Sequence, residues 1–267
     1  MSNEKVLIER HGGVAKLVLN DAATRNALSP PMVEGLVCFF GSANADETLT
    51  CIVLTAAGDS FCSGGNIKDM GSGRDPMFAG TPFQMLEGYR NGIQAIPRLL
   101  NALDVPIIAA VHGAAVGAGC DLTCMCDIRI ASTDAKFAES FLRVGLVSGD
   151  GGAWFLPRVV GMPMALEMAL TCRTLAAAEA KECGLVTHVV PREQLVDKAM
   201  EMAHQISALP PRSARLNKRL IRRSLDMSLD DCLELSAAFQ AIAQNTADQK
   251  EAVLALLQKR PPKYVGR

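Results

Sequence analysis

Two glycine-rich loops hold the residues best suited to chemistry. Gly58-Asp59-Ser60-Phe61-Cys62-Ser63-Gly64-Gly65 follows an apolar run at 50–56, and a second small-residue loop at 113–119 follows another at 105–111. Loops without bulky side chains let backbone N–H groups approach a ligand oxygen. Two such groups converging on one point would stabilise an oxygen that gains negative charge. Glycines also permit tight turns and close packing, and composition alone leaves both uses open. Other chemistries lack their motifs. The chain has no G-x-G-x-x-G, no G-x-x-x-x-G-K-[ST], no G-x-S-x-G and no H-E-x-x-H, which weakens nucleotide-dependent redox, P-loop, serine hydrolase and zinc protease readings. Cys120, Cys124 and Cys126 raise a metal question. Cys120 and Cys124 would share one helical face while Cys126 points elsewhere, and no His stands beside them, so no metal site is expected.

These loops need elements to position them. Segments 6–10 and 14–19 alternate around Gly12-Gly13 and read as a hairpin. Ser29-Pro30-Pro31 starts a helix over 32–43. Segments 50–56 and 105–111 read as buried strands that enter the two glycine loops. A helix is expected near 119–126, a strand over 128–131, and a short helix around 153–156 after the glycine turn Ser148-Gly149-Asp150-Gly151-Gly152. Between the first two units, 71–80 is polar and expected to be mobile, and a helix runs on to about Leu103 with a break at Pro97. Strand, glycine loop and helix thus recur near 50–70, 105–126 and 128–160. After Pro191 the pattern is all helical, over 193–208, 212–224, 229–245 and 247–259, with Pro210-Pro211 as a boundary. The expectation is a mixed α/β core over 1–192 and a helical region over 193–267.

Composition agrees with a globular chain. Its 267 residues carry a formal charge of −1, with 49% hydrophobic, 21% charged and 4% aromatic residues. The balanced charge excludes a bulk basic field for nucleic acid. No apolar stretch is long enough to span a bilayer. The polar start lacks a signal-peptide pattern, so a cytoplasmic address is expected. The nine Cys are odd in number and scattered through apolar runs, which fits reduced, buried thiols.

Phe61-Cys62-Ser63-Gly64-Gly65-Asn66-Ile67-Lys68-Asp69-Met70 resembles the first signature of the crotonase (enoyl-CoA hydratase/isomerase) family. Val111-His112-Gly113-Ala114-Ala115-Val116-Gly117-Ala118-Gly119-Cys120-Asp121-Leu122 resembles the second. The resemblance runs from Leu19-Asn20 through Gly184-Leu185-Val186 to Lys259-Arg260-Pro261, in family order. It implies a crotonase-like ββα spiral with a C-terminal helical region that packs across subunits, as a homotrimer or a dimer of trimers. It also implies an acyl-CoA thioester substrate, with coenzyme A as part of the substrate and no separate cofactor.

By position, the resemblance makes the N–H groups of Gly65 and Ala118 the oxyanion hole for the thioester carbonyl. Family hydratases use two glutamates. The first position is Asp121 here and the second is Phe141, which cannot transfer a proton. Asp150 lies close to where related isomerases and dehalogenases place an aspartate, so Asp121 and Asp150 form a candidate acid–base pair. Each has another possible use, Asp121 in the first turn of its helix and Asp150 as a cap for the next one. Glu139, two residues before Phe141, is a third candidate carboxylate, read first as solvated or salt-bridged, and Asp127 is read as a local partner of Arg129. Arg25, Ala27 and Leu28 match the segment lining the adenine and phosphate end of CoA. Asn66 and Ile67 flank the first donor, and Lys259 and Lys263 could reach phosphates.

The implied activity is hydration of a 2-enoyl-CoA. The alternatives are double-bond isomerisation with one carboxylate base, or a weakly active acyl-CoA or RNA-binding homologue. The last rests on Arg212, Arg215, Lys218, Arg219, Arg222 and Arg223, which share a helix. Nucleic acid remains the lesser expectation, because such a helix can be solvated or pair with acids such as Asp230 and Asp231. His112 is read as a turn or packing residue. Trp154, Phe155, Met162, Met164 and Met168 are read as core or acyl-pocket lining.

Overall fold

Alternation of side chains builds the main sheet. The computed structural model describes residues 4–72 and 76–266. Strands β1 (Val6–His11) and β2 (Val14–Leu19) form the expected antiparallel hairpin. Strands β3 (Cys51–Ala56) and β4 (Ile107–Val111) then add in parallel, followed by two further strands. Ala15, Leu17, Leu19, Ile52, Leu54, Ile107 and Ala109 face one hydrophobic core, while Val14, Cys51, Val53, Ile108 and Ala110 face a second. A parallel sheet is buried on both faces, which is why β3 and β4 read as unbroken apolar runs. Helix α1 (Pro30–Ala43) buries Met32, Leu36, Phe39 and Phe40 against the first core.

The ββα repeat is now visible. After β4 the chain makes the short β5 (Ala114–Val116) in a second sheet and then helix α5 (Ala118–Met125). Strand β6 (Ile128–Ser132) returns to the main sheet, and β7 (Lys136–Ala138) pairs parallel with β5. In the first turn of the spiral, Cys62 forms a single parallel bridge with Ala115 before helix α2 (Ile67–Ser72). The 113–119 segment is therefore not pure loop as expected, since its centre is a strand.

Helices α3 (Pro82–Asn91) and α4 (Ala95–Asn101) replace the single helix expected up to Leu103. The break falls at Gly92–Gln94 rather than Pro97. Pro97 sits in the first turn of α4, where its missing N–H costs nothing. Part of the segment expected to be mobile, Gly73-Arg74-Asp75, lies outside the described residues.

Beyond β7 come α6 (Gly152–Val160), α7 (Met162–Thr171), β8 (Thr174–Ala176), α8 (Ala177–Glu182) and β9 (His188–Val190). The helices α9 (Leu195–Ser207), α10 (Pro211–Arg223), α11 (Leu229–Gln244) and α12 (Ala247–Leu257) complete the chain. Helix α9 seals the sheet by burying Leu195, Ala199 and Ala203 in the second core.

Helix α10 clamps onto the spiral. Arg215 donates to the carbonyls of Asn44, Asp46 and Leu49, and Arg222 to those of Leu100 and Met125. Arg219 pairs with Asp104. Asp127 takes Lys218 at 2.7 Å, Arg222 at 2.8 Å and the Ile107 N–H at 2.8 Å. Asp127 is thus not the partner of Arg129, which instead donates to the carbonyls of Cys126 and Leu185. The cations of α10 answer acids and carbonyls of the spiral rather than Asp230 and Asp231. Among the described residues no helix is long and apolar enough to cross a membrane.

Candidate active site

The two glycine loops are stitched together. Cys62 N–H donates to Ala114 O at 3.0 Å, and Val116 N–H donates to Cys62 O at 3.0 Å. This approach excludes side chains at two points. A Cβ on Gly64 would lie 2.5 Å from Val116 O, and one on Gly119 would lie 2.2 Å from Cys62 O. The first loop is also tied to the 21–28 segment. Ser63 N–H donates to Arg25 O and Leu28 N–H to Gly64 O. The fully buried Asn26 side chain accepts from Asp21 N–H and donates to the carbonyls of Ala57 and Ser60. Gly117 N–H donates to Ala138 O, which anchors the second loop to β7.

Gly65 and Ala118 consequently line one cavity of about 270 Å3. Among the described residues, neither N–H has a hydrogen-bond acceptor in the protein. Ala118 opens α5, so the positive end of that helix adds to the attraction for an oxyanion. Arg25, Leu28 and Ile67 line the same cavity, with Met70, Met77, Phe78, Tyr89 and Phe141 supplying apolar wall.

Among the described residues, one acid reaches this cavity, Asp150. Its turn is braced by Gln94, whose side chain donates to Gly149 O at 2.8 Å. Asp150 does not cap α6. Gly151 occupies that position with φ 114°, and it is Ser148 Oγ that accepts the first-turn Ala153 N–H. Asp150 is 4% exposed and faces Asp121, which is fully buried. Asp121 lies in the first turn of α5, where no side chain caps the helix. Its Oδ2 accepts from Ser148 Oγ at 3.1 Å, and its carboxyl lies against Gly152, where a Cβ would come within 1.9 Å of Oδ1.

Glu139 corrects the expectation of a solvated or paired carboxylate. It is 3% exposed and interacts with Asp121, which also interacts with Asp150. Burial, reinforced by the neighbouring acids, holds Asp121 and Asp150 well above the usual carboxylate range. Burial likewise lifts Glu139 to about 7. Three acids in a dry row cannot all ionise, so this group retains protons at neutral pH. Oδ1 of Asp121, Oδ1 of Asp150 and Oε1 of Glu139 have no partner among the described residues. The sequence gives no local signal that Ser148 and Gly152 brace the Asp121 carboxyl.

The remaining expected residues divide. Ala27 is buried behind the cavity, and Asn66 spends its Oδ1 on the Lys68 N–H. Lys263 lines a separate cavity beside Asp248 and Glu251, and Lys259 lies just past α12; neither is among the residues lining the Arg25 cavity. His112 packs against Gly58 O, and burial lowers its basicity. Phe155 and Met168 are core, Met164 packs beside it, and Trp154 stacks under Arg158. Met162 lines a second cavity behind Phe141.

Comparison with known proteins agrees with this geometry. A family model described as enoyl-CoA hydratase/isomerase matches residues 9–267. A short-chain-enoyl-CoA hydratase of Clostridium acetobutylicum is 33% identical over 263 residues, covering 97% of each chain. A 1,2-epoxyphenylacetyl-CoA isomerase of Escherichia coli is 35% identical over 265 residues, covering 99% of each. Among solved structures, an enoyl-CoA hydratase from Bacillus anthracis superimposes with a TM-score of 0.91 at 30% identity, covering 98% of this chain and 100% of that one.

Proposed function

The chain belongs to the enoyl-CoA hydratase/isomerase family, and from that premise we propose that it hydrates a 2-enoyl-CoA with Asp150 and Asp121 as the acid–base pair. It is an acyl-CoA enzyme of the hydratase/isomerase type. One observation carries the finer reading. Two unspent loop N–H groups and a buried carboxyl share a single cavity. Water adding at C3 drives an electron pair through C2 onto the thioester oxygen. The Gly65 and Ala118 N–H groups face that charge, and one such donor is worth about 10²–10³ in rate. Asp150, on the cavity wall, gives the proton that C2 takes up and recovers the proton that the adding water loses. Asp121 behind it fixes and charges Asp150 rather than touching substrate.

The binding roles follow from position. Arg25 and Leu28 flank the CoA end, with Ala27 supporting them and Asn66 holding the loop that carries Gly65. Ile67 and Phe141 border the acyl end. Coenzyme A enters with the substrate, and no separate cofactor takes part. Exposed apolar residues on the last helices, Leu229, Leu233, Ile242, Leu256 and Leu257, support assembly as a homotrimer or dimer of trimers. In such an assembly Lys259 and Lys263 would serve a neighbouring copy.

Phe141, and Asp150 as the one acid on the cavity among the described residues, favour a second reading, double-bond isomerisation, which needs only one base. The test is turnover of crotonyl-CoA, 3-hexenoyl-CoA and an aromatic-ring acyl-CoA by wild type, Asp121→Asn and Asp150→Asn. Hydration lost in both variants supports the pair. Isomerisation lost only in Asp150→Asn supports the single base. Wild-type inactivity on all three rejects both.

A further inference from the structure

Glu139 has no task in the chemistry above, yet it is almost fully buried and carries an oxygen without a partner. It lines the second cavity, about 280 Å3 in volume, between α6 and α7. That cavity shares the Phe141 and Leu146 side chains with the acyl cavity and is walled off by them. Its mouth lies among the exposed residues Val147, Met162, Leu166 and Leu170. Ser148, which holds Asp121, lines it too.

The three carboxyls form a continuous row. Asp150 stands at the acyl cavity, Asp121 contacts both neighbours, and Glu139 ends at the second cavity. Two carboxyl oxygens in contact need a proton between them, so each junction can pass one. We infer that Glu139 is a positioning residue that exchanges the substrate-derived proton on Asp150 with water entering the second cavity, by way of Asp121. The inference rests on the reading of Asp150 as the acid–base group.

The step balances. Asp150 takes a proton from C2, and the C–H electron pair moves toward the thioester oxygen. The Asp150 proton passes to Asp121, the Asp121 proton to Glu139, and the Glu139 proton to water. Asp150 is again a carboxylate, and return of a solvent proton along the same row completes an isomerisation. Without Glu139 the abstracted proton stays on Asp150 and returns to the same substrate.

The experiment follows 3-hexenoyl-CoA in D2O, with product deuterium read by mass spectrometry. Wild-type product should carry solvent deuterium in most turnovers. Glu139→Gln should lower that fraction at least about fivefold while turnover changes less, because proton abstraction is untouched. Glu139→Asp should restore part of it. Ala169→Phe, which fills the second cavity from α7 and leaves every carboxyl in the chain, should reproduce the loss and covers the case of a Glu139 variant that does not fold. Where 3-hexenoyl-CoA is not turned over, α-proton exchange of hexanoyl-CoA is followed instead, and both variants should slow it at least about tenfold. Deuterium uptake equal to wild type in folded Glu139→Gln or Ala169→Phe overturns the relay. Full activity in Asp150→Asn overturns instead the reading of Asp150 beneath it.

Discussion

Gly152→Ala offers a sharp test of where the acidic row sits. The added methyl would stand 1.9 Å from Asp121 Oδ1 and 2.2 Å from both Cγ and Oδ2. Ordinary contact begins at 3.4 Å, so the carboxyl must retreat by about 1.5 Å. It has little room to do so. Asp121 is fully buried, held by Ser148 and flanked by Glu139 and Asp150. A misplacement of that size in a catalytic group costs about 10²-fold or more. Overpacking costs about 1–3 kcal/mol, offset in part by the helix preference of Ala over Gly. The expected outcome is therefore a melting temperature a few degrees lower, a kcat at least about 10²-fold lower and a smaller change in CoA-ester affinity. Gly41→Ala is the control, because that helical glycine meets nothing within 4 Å and the change should hold or raise stability. Steady-state kinetics on crotonyl-CoA or 3-hexenoyl-CoA and a thermal melt read both. A Gly152→Ala enzyme with kcat within threefold of wild type would show that Asp121 is not packed as described or not needed.

Other outcomes follow from the same contacts. Asp150→Asn should lower kcat about 10²–10⁴-fold with little change in thioester affinity, and a rise in KM at constant kcat would instead mark a binding role. Glu139 ionises near 7 in the folded chain against an ordinary value of 4.5. Between those values the unfolded chain holds fewer protons, so stability should fall as pH rises through that window and level off above it. Glu139→Gln should flatten that fall in melts across the range, and parallel curves for the two proteins would refute the assignment. Asp127→Ala leaves Lys218 and Arg222 without their acid, which should cost about 3–5 kcal/mol and lower the melting temperature by roughly 10 °C. Unchanged melting would show that the Asp127 ion pairs contribute nothing to the α10 clamp.

The parts of this fold written in the sequence are those with a strong local period. Strands β3 and β4 are long, apolar and flanked by glycines, so their nature and the loops they feed were readable. Strands β5, β8 and β9 have three residues each, too few to show alternation. Family resemblance located Gly65, Ala118 and Asp121, and the folded chain places the first two on one cavity. Glu139 was misread because a carboxylate in an unassigned stretch looks solvated until its neighbours are known. Asp127 was misread for a similar reason. Its nearest cation in sequence is Arg129, but its partners lie about ninety residues downstream, on a helix whose charges looked like a solvent face.

That long-range attachment bears on how the protein is made. Before residues near 222 leave the ribosome, Asp104 and Asp127 lack their cations, and the carbonyls of Leu100, Val105 and Met125 lack the donors that meet them in the finished chain. Asp127 also holds the first amide of β4, the strand that leads into the Ala118 loop. A nascent spiral can therefore collapse early but gains its last fastenings only when α10 arrives. Premature termination between Asp150 and that helix should yield an inactive, protease-sensitive fragment, even though every reactive side chain has already been translated.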